Sequence, residues 1–252
     1  MSEEQALQEV LAAVRAAHFD AAGAARDYGA LCTSAEHAHV VKAVAGLGEV
    51  DFKRVRIAAQ TAFWLNVFNA VVVRDIAELA TSESVKDVEA FFEKPRVRVA
   101  GYGYSLDDIE HGLLRGNVPK FGGKRPPMDR DDPRLAHTPL AYDERMHFGL
   151  YSAGRSSPPL RVFDGGHVDR DLEDAAADYL RREVRVEQAG AVVILPRQFY
   201  WYRDDFGGEV NALGFALARL DDEVVDKVDS RRGKVKVRYA DFDWTLLGEA
   251  RT

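Results

Sequence analysis

Apolar residues near the start of the chain fall at Ala6, Leu7, Val10, Leu11, Val14 and Ala17 with Glu and Gln between them, the stripe of a helix laid on a body. Alanine and glycine thin the pattern over 21–48, which predicts short helices, with His37 and His39 in an exposed polar stretch. Residues 57–80 are apolar on nearly every face through Val73, as in a helix enclosed by the rest of the protein. Asn66 and Asn69 interrupt that run three residues apart and so share a face. Buried amides need partners, so they bind a loop, a second element or a ligand, and pinning a loop is the simplest of the three.

Further on, Val97 and Val99 before Gly101 and Gly103 predict a strand and tight turn, and Ser105 with Asp107 and Asp108 predicts a capped helix start, the helix running over 106–115. Residues 116–142 form a long connection rich in Pro, Gly and charge, a length that usually marks a functional or covering segment. Met146, Phe148 and Leu150 alternate with Arg145, His147 and Gly149, which predicts a strand running into Ser152 and a turn closed by Pro158 and Pro159. A helix over 171–184, a buried strand over 192–195, an aromatic-rich turn over 199–206, a helix over 210–220 and a strand over 234–239 complete the pattern. The sum predicts one α+β domain with a central buried helix and a mixed or antiparallel sheet, residues 1–50 forming an N-terminal helical segment packed on the body formed by 51–252.

The net charge of −7 argues against a protein whose main affinity is for nucleic-acid phosphates. No apolar stretch approaches the roughly 20 residues of a membrane-spanning helix, and the first ten residues lack the layout of a secretory signal. A soluble cytoplasmic protein without a membrane partner is expected. One cysteine, Cys32, provides neither an internal disulfide nor a thiolate cluster. There is no phosphate-binding glycine loop, no HExxH and no recognisable metal spacing, so no cofactor and no metal are expected.

Two stretches concentrate reactive groups: DDIEHGLLR, with Glu110 and His111, and RMHFGLYSAGRSSPPLR, with His147, Ser152, Arg155, Ser156 and Ser157. In an extended strand His147 and Ser152 would stand roughly 16 Å apart, while a base must lie within about 3 Å of its proton. His111, arriving from another element, is the freer base for Ser152, with Asp107 or Glu110 to orient it. His147 meets Ser157 only if the turn folds back. Arg155 is the candidate anion contact, and Asn66, Ser156 and Ser157 complete the expected binding set.

FWLNVFNA (63–70), SLDDIEHGLLR (105–115), DDPRLAHTPL followed by DERMHFGL (131–150), RSSPPLRVF (155–163), FYWYRDDFGG (199–208) and YADFDW (239–244) together resemble the domain-of-unknown-function 547 family, over a span of roughly 56–247. In that family the strand after the His-Phe pair ends in a cysteine, and a second cysteine often precedes the prolines. Ser152 and Ser157 stand at those positions here. The resemblance implies a thiol hydrolase or acyltransferase in a papain- or transglutaminase-like manner, with His111 or His147 as base. A thiol is partly ionised near neutrality, whereas a serine hydroxyl must hand its proton to a base during attack. The substitution therefore leaves two expectations: a serine variant of the enzyme, or a non-catalytic module that binds a peptide or small molecule. Oligomeric state is open. The aromatic residues of the C-terminal motifs read as packing.

Overall fold

The computed structural model describes residues 2–21, 23, 25–75, 79, 83–231 and 233–246. The ends of two expectations, the buried helix at 76–78 and 80 and the family span at 247, lie outside them.

Helix α1 (Glu3–His18) opens on a reciprocal cap between Ser2 and Gln5 and buries Leu7, Leu11 and Val14 as its stripe requires. That face packs on α3 (Ala35–Gly46) and on α4 (Gln60–Arg74), while α2 (Tyr28–Cys32) makes a single turn between α1 and α3. His37 is not an exposed group. Its ring is buried and Nε2 meets the Arg74 carbonyl at 2.9 Å, tying α3 to the end of α4. Helix α4 is enclosed from Ala62 to Val73, as its all-round apolarity predicts.

The two asparagines of α4 hold loops, and Asn66, expected in the binding set, lies outside the cleft lining with its amide bonded to backbone. Asn66 accepts from the Phe163 N–H at 2.9 Å and donates to the Phe163 carbonyl at 2.8 Å. Asn69 accepts from the Tyr151 N–H and donates to the carbonyls of Gly149 and Arg161. These bonds clamp both limbs of the serine turn to the core helix. Gly149 has no alternative at its position, since a Cβ there would lie 2.6 Å from the Phe163 ring.

Strands β1 (Val97–Val99) and β2 (Tyr102–Tyr104) form the expected antiparallel hairpin. Helix α5 (Asp108–Leu114) is wound as a π-helix, and a reciprocal pair between Ser105 and Asp108 closes its N-terminus. The 116–142 connection is clamped on itself by Asn117 and Met128 and on the core by the Trp64 indole, which donates to the His137 carbonyl.

Residues Glu144–Phe148 are a 3₁₀ turn and not a strand. Asp143 caps that turn through the Arg145 N–H, and Met146, His147 and Phe148 are all buried. Alternation predicts a strand only when one face meets water. Here both faces are covered, Met146 packing into the core around α4 and Phe148 into a second apolar cluster with Tyr179, Phe199 and Phe206. That cluster lies among α6 (Val168–Glu183), α7 (Gln198–Trp201), α8 (Glu209–Leu217), α9 (Asp222–Asp229) and a small sheet. In the sheet, β3 (Arg185–Glu187) is antiparallel to β4 (Val192–Leu195), which runs parallel to β5 (Lys236–Tyr239). The architecture is α+β.

Candidate active site

Between the two cores lies a cleft of about 260 Å³. Its floor comes from α5 (Asp107 just before it, then Glu110 and His111) and from the 3₁₀ turn and the chain after it (His147, Ser152), with Gln198 and Tyr202 facing them. Phe68, Phe92, Leu150, Pro158, Phe242 and Trp244 wall it, and Lys120 and Phe121 of the 116–142 connection close one side. The serine turn does not sit at a sheet end. Its backbone pairs with the C-terminal segment, where the Arg155 and Ser156 amides donate to the Thr245 and Asp243 carbonyls.

The charged groups beneath the cleft form one connected set. Arg115, 9% exposed, donates Nε and Nη2 to the two oxygens of Asp205 at 2.6 and 2.8 Å. Asp205 Oδ2 lies 2.9 Å from His147 Nε2, and the Tyr142 hydroxyl is close to the same carboxylate. The His147 ring is stacked on Tyr202 at 3.8 Å, so its plane is fixed as well as its nitrogen. Its Nδ1 is buried and, among the described residues, has no hydrogen-bond partner, lying 3.8 Å from Glu110 Oε1. Burial opposes ionisation of Asp205, but the bonds from Arg115 and His147 outweigh it and hold the carboxyl well below its ordinary range. Burial likewise opposes Glu110, yet the His111 and His147 rings and the Tyr202 hydroxyl bring it down to about 2.

His111 is differently placed. Arg115 Nη1 lies 3.2 Å from His111 Nδ1, and since a guanidinium only donates, Nδ1 must accept. The neutral ring then carries its proton on Nε2, which faces Asp107 Oδ1 at 3.7 Å. Burial pushes the His111 pKa down, in keeping with that state. An Nε2–H cannot take a proton from Ser152, so the tautomer argues against His111 as the base. Asp107 faces His111 as the i,i+4 spacing predicts, and Glu110 approaches its Nδ1 at 4.0 Å.

Ser152 is half-buried in the cleft lining, and among the described residues its Oγ has no hydrogen-bond partner. Its amide donates to Ser157 Oγ at 2.8 Å. Ser157 is fully buried and donates in turn to the Pro158 carbonyl, so it braces the turn and is not open to a ligand. Ser156 Oγ accepts from the Asp243 amide, and Arg155 is exposed and outside the lining. Of the expected binding set, then, Asn66, Ser156 and Ser157 are occupied with backbone and Arg155 points elsewhere.

The family model for a protein of unknown function, DUF547, matches residues 52–180. The chain belongs to the DUF547 family. The matched stretch contains Glu110, His111, Arg115, His147 and Ser152 but ends inside α6, so the two C-terminal motifs lie beyond it. No curated protein and no solved structure matches the chain.

Lys120 and Gln198 in the cleft lining, and Asp205 and Arg115 beneath it, are residues that the sequence pattern does not single out. In the sequence only the acidic pair after the aromatic run marks Asp205, and the aromatic run itself suggests packing. Trp201, Tyr202, Phe242 and Trp244 in fact line the cleft. Among the described residues no group of three or more His, Cys, Asp or Glu is placed to hold a metal, and no helix is long and apolar enough to cross a membrane.

The buried ring has a pH signature. A histidine whose folded pKa lies below its unfolded value near 6.5 keeps its proton off while the unfolded chain takes one up, so stability falls as pH drops through that value. Burial lowers His137 in the same direction. Melting temperature should therefore decline from pH 7.5 to 5, and His111→Gln should flatten part of that limb. An unchanged slope in the variant contradicts the neutral assignment.

Proposed function

We propose that the cleft is a hydrolytic or acyl-transfer centre with Ser152 Oγ as nucleophile and His147, not His111, as the imidazole that moves its proton. The observation that supports it most is the His147–Asp205 contact of 2.9 Å, with Asp205 itself held by two bonds from Arg115. A base needs a third group to set its tautomer and orientation, and a buried carboxylate on Nε2 leaves Nδ1 as the working nitrogen. The 3₁₀ turn replaces the extended strand at His147, and both His147 and Ser152 line the cleft. Ser152 Oγ adds to the carbonyl carbon of an ester or amide as its proton passes to Nδ1. The tetrahedral adduct expels the alcohol or amine, which leaves with that proton. Water or an acceptor alcohol then repeats the sequence on the acyl-serine, restoring the hydroxyl. Asp205 is a positioning residue in this scheme.

The test is acylation. Wild-type protein should release p-nitrophenol from p-nitrophenyl acetate and carry a fluorophosphonate label on Ser152, and Ser152→Ala should do neither. His147→Gln should slow acylation by about 10²-fold or more. Asp205→Asn should lower kcat more than it raises KM. Folded protein in which Ser152 takes no label rules the reading out.

A second reading, a binding module without turnover, is supported by the state of Ser152: its Oγ meets no imidazole, and its amide is taken by Ser157 and so is not an oxyanion donor. In that case Ser152→Cys shows no enhanced reaction with iodoacetamide, while small ligands still raise the melting temperature.

A further inference from the structure

The lining of the cleft sorts by chemistry in a way that restricts what enters. Phe92, Trp201, Phe242 and Trp244 form one continuous aromatic wall, with successive ring centroids 4.3–5.9 Å apart. The rings touch one another and leave no gap for a group held between them, so the wall offers its faces to a planar or branched apolar body. The volume is larger than the roughly 150 Å³ cavity that holds benzene, and suits a phenyl ring with a short side chain.

The other side of the cleft is negatively charged. Asp107 and Glu110 line it, Glu93 pairs with the lining residue Lys120, and Asp205 contacts the lining residue His147. The two nearby cations are outnumbered: Lys120, also in the lining, lies 2.8 Å from Asp107 and 2.9 Å from Glu93, Arg115 pairs with Asp205, and Glu110 has only the two histidines beside it among the described ion pairs. His111 accepts from Arg115 and adds no positive charge. A carboxylate entering here would meet carboxylates, whereas an ammonium would find acceptor oxygens beside an aromatic wall. That wall already receives a cation at its rim, where Lys86 Nζ stands 5.3 Å from the Trp244 ring centroid.

We propose that the cleft takes an acyl compound carrying a free protonated amine and an aromatic or branched apolar side chain, an aminoacyl ester or amide with an unblocked amino group, the amine meeting Glu110 and Asp107. The proposal rests on the reading of this cleft as an acyl site and gives that site its substrate class. It separates this site from the anion pocket that Arg155 suggests from sequence alone.

The experiment uses phenethylamine, 2-phenylethanol and phenylacetate, which share ring and chain and differ in charge. Each is titrated into the full chain carrying Ser152→Ala, which cannot turn over, with the fluorescence of Trp201 and Trp244 as the readout. The amine should bind about tenfold more tightly than phenylacetate, with the alcohol between them. Glu110→Gln should reduce that ratio to about threefold or less, and Asp107→Asn should reduce it in part, so either variant suffices where the other does not fold. Equal or tighter binding of phenylacetate, a ratio unmoved by both variants, or no saturation by any of the three overturns the proposal. Turnover keeps the two readings apart. Charge-ordered binding without Ser152 acylation in the wild type defeats the acyl-transfer mechanism alone, and acylation without charge order defeats the substrate class alone.

Discussion

Arg115→Met should cost about 3–5 kcal/mol of folding free energy, the loss seen when one partner of a buried ion pair is removed. In a chain of this size that corresponds to roughly 10 °C in melting temperature. Arg115 binds both oxygens of Asp205, the Pro119 carbonyl and His111 Nδ1, and its guanidinium lies 4.9 Å from the Tyr202 ring centroid. Methionine fills the space of the stem but leaves the Asp205 charge buried with only His147 and Tyr142 to meet it. Arg115→Lys should recover little, because an ammonium cannot hold two carboxylate oxygens in one plane. The double variant Arg115→Met, Asp205→Asn should be more stable than Arg115→Met alone, since the stranded charge is gone. Lys227→Met supplies the contrast, its partner Glu223 being an exposed i,i+4 neighbour, and should cost about 0.5 kcal/mol or less. Urea denaturation of the set decides the matter: a loss at Arg115 as small as that at Lys227 would mean that the buried network carries no structural weight.

The same network bears on acid stability. The folded pKa of Asp205 and of Glu110 lies below the unfolded value, so the stability each contributes is complete above about pH 4.3 and drains away as pH falls toward their folded values. Arg115→Met removes the main partner of Asp205 and should shrink this acid limb. The proposed function and the stability are therefore tied in one place, where the carboxylate that contacts His147 is held ionised by an arginine that also fixes the tautomer of the second histidine.

What the sequence discloses follows from whether a contact is local. The α1 stripe, the reciprocal Ser105–Asp108 cap and the β1–β2 hairpin involve residues a few positions apart, and spacing encodes them directly. The asparagine face of α4 is legible for the same reason, although its partners at Gly149, Tyr151 and Phe163 are not. Glu144–Phe148 misleads because a turn buried on both sides by two different clusters produces the same alternation as a strand with one wet face. Asp205 lies 58 positions from His147 and 90 from Arg115, and no local pattern records a pairing at that range. Glu110 and His111 are nameable from composition, but their roles depend on which nitrogen Arg115 occupies, a fact of tertiary packing.

Asn69→Ala should cost about 3–5 kcal/mol, since each buried backbone group stranded without a partner costs about 1–3 kcal/mol. The fully buried side chain serves three such groups: the Tyr151 N–H at 2.9 Å and the carbonyls of Gly149 and Arg161, each at 3.1 Å. Asn66→Ala should cost at least about 1 kcal/mol less. It strands the Phe163 N–H, but the Phe163 carbonyl keeps a donor in Gln8 Nε2 at 2.6 Å. Asn69→Asp is the sharper probe. A carboxylate retains the acceptor for Tyr151 but turns a negative oxygen toward two carbonyls, so the variant should be no more stable than Asn69→Ala near neutrality and should recover as acid protonates it. The consequence reaches the cleft, because Asn69 anchors the residue immediately before Ser152. Partial unfolding of the 149–152 segment should release Ser152 and blunt fluorophosphonate labelling before global unfolding, while Asn66→Ala leaves labelling near wild type. Equal losses at Asn66 and Asn69, or labelling indifferent to Asn69, would show that the serine turn holds its place by its own contacts with Ser157 and the C-terminal segment.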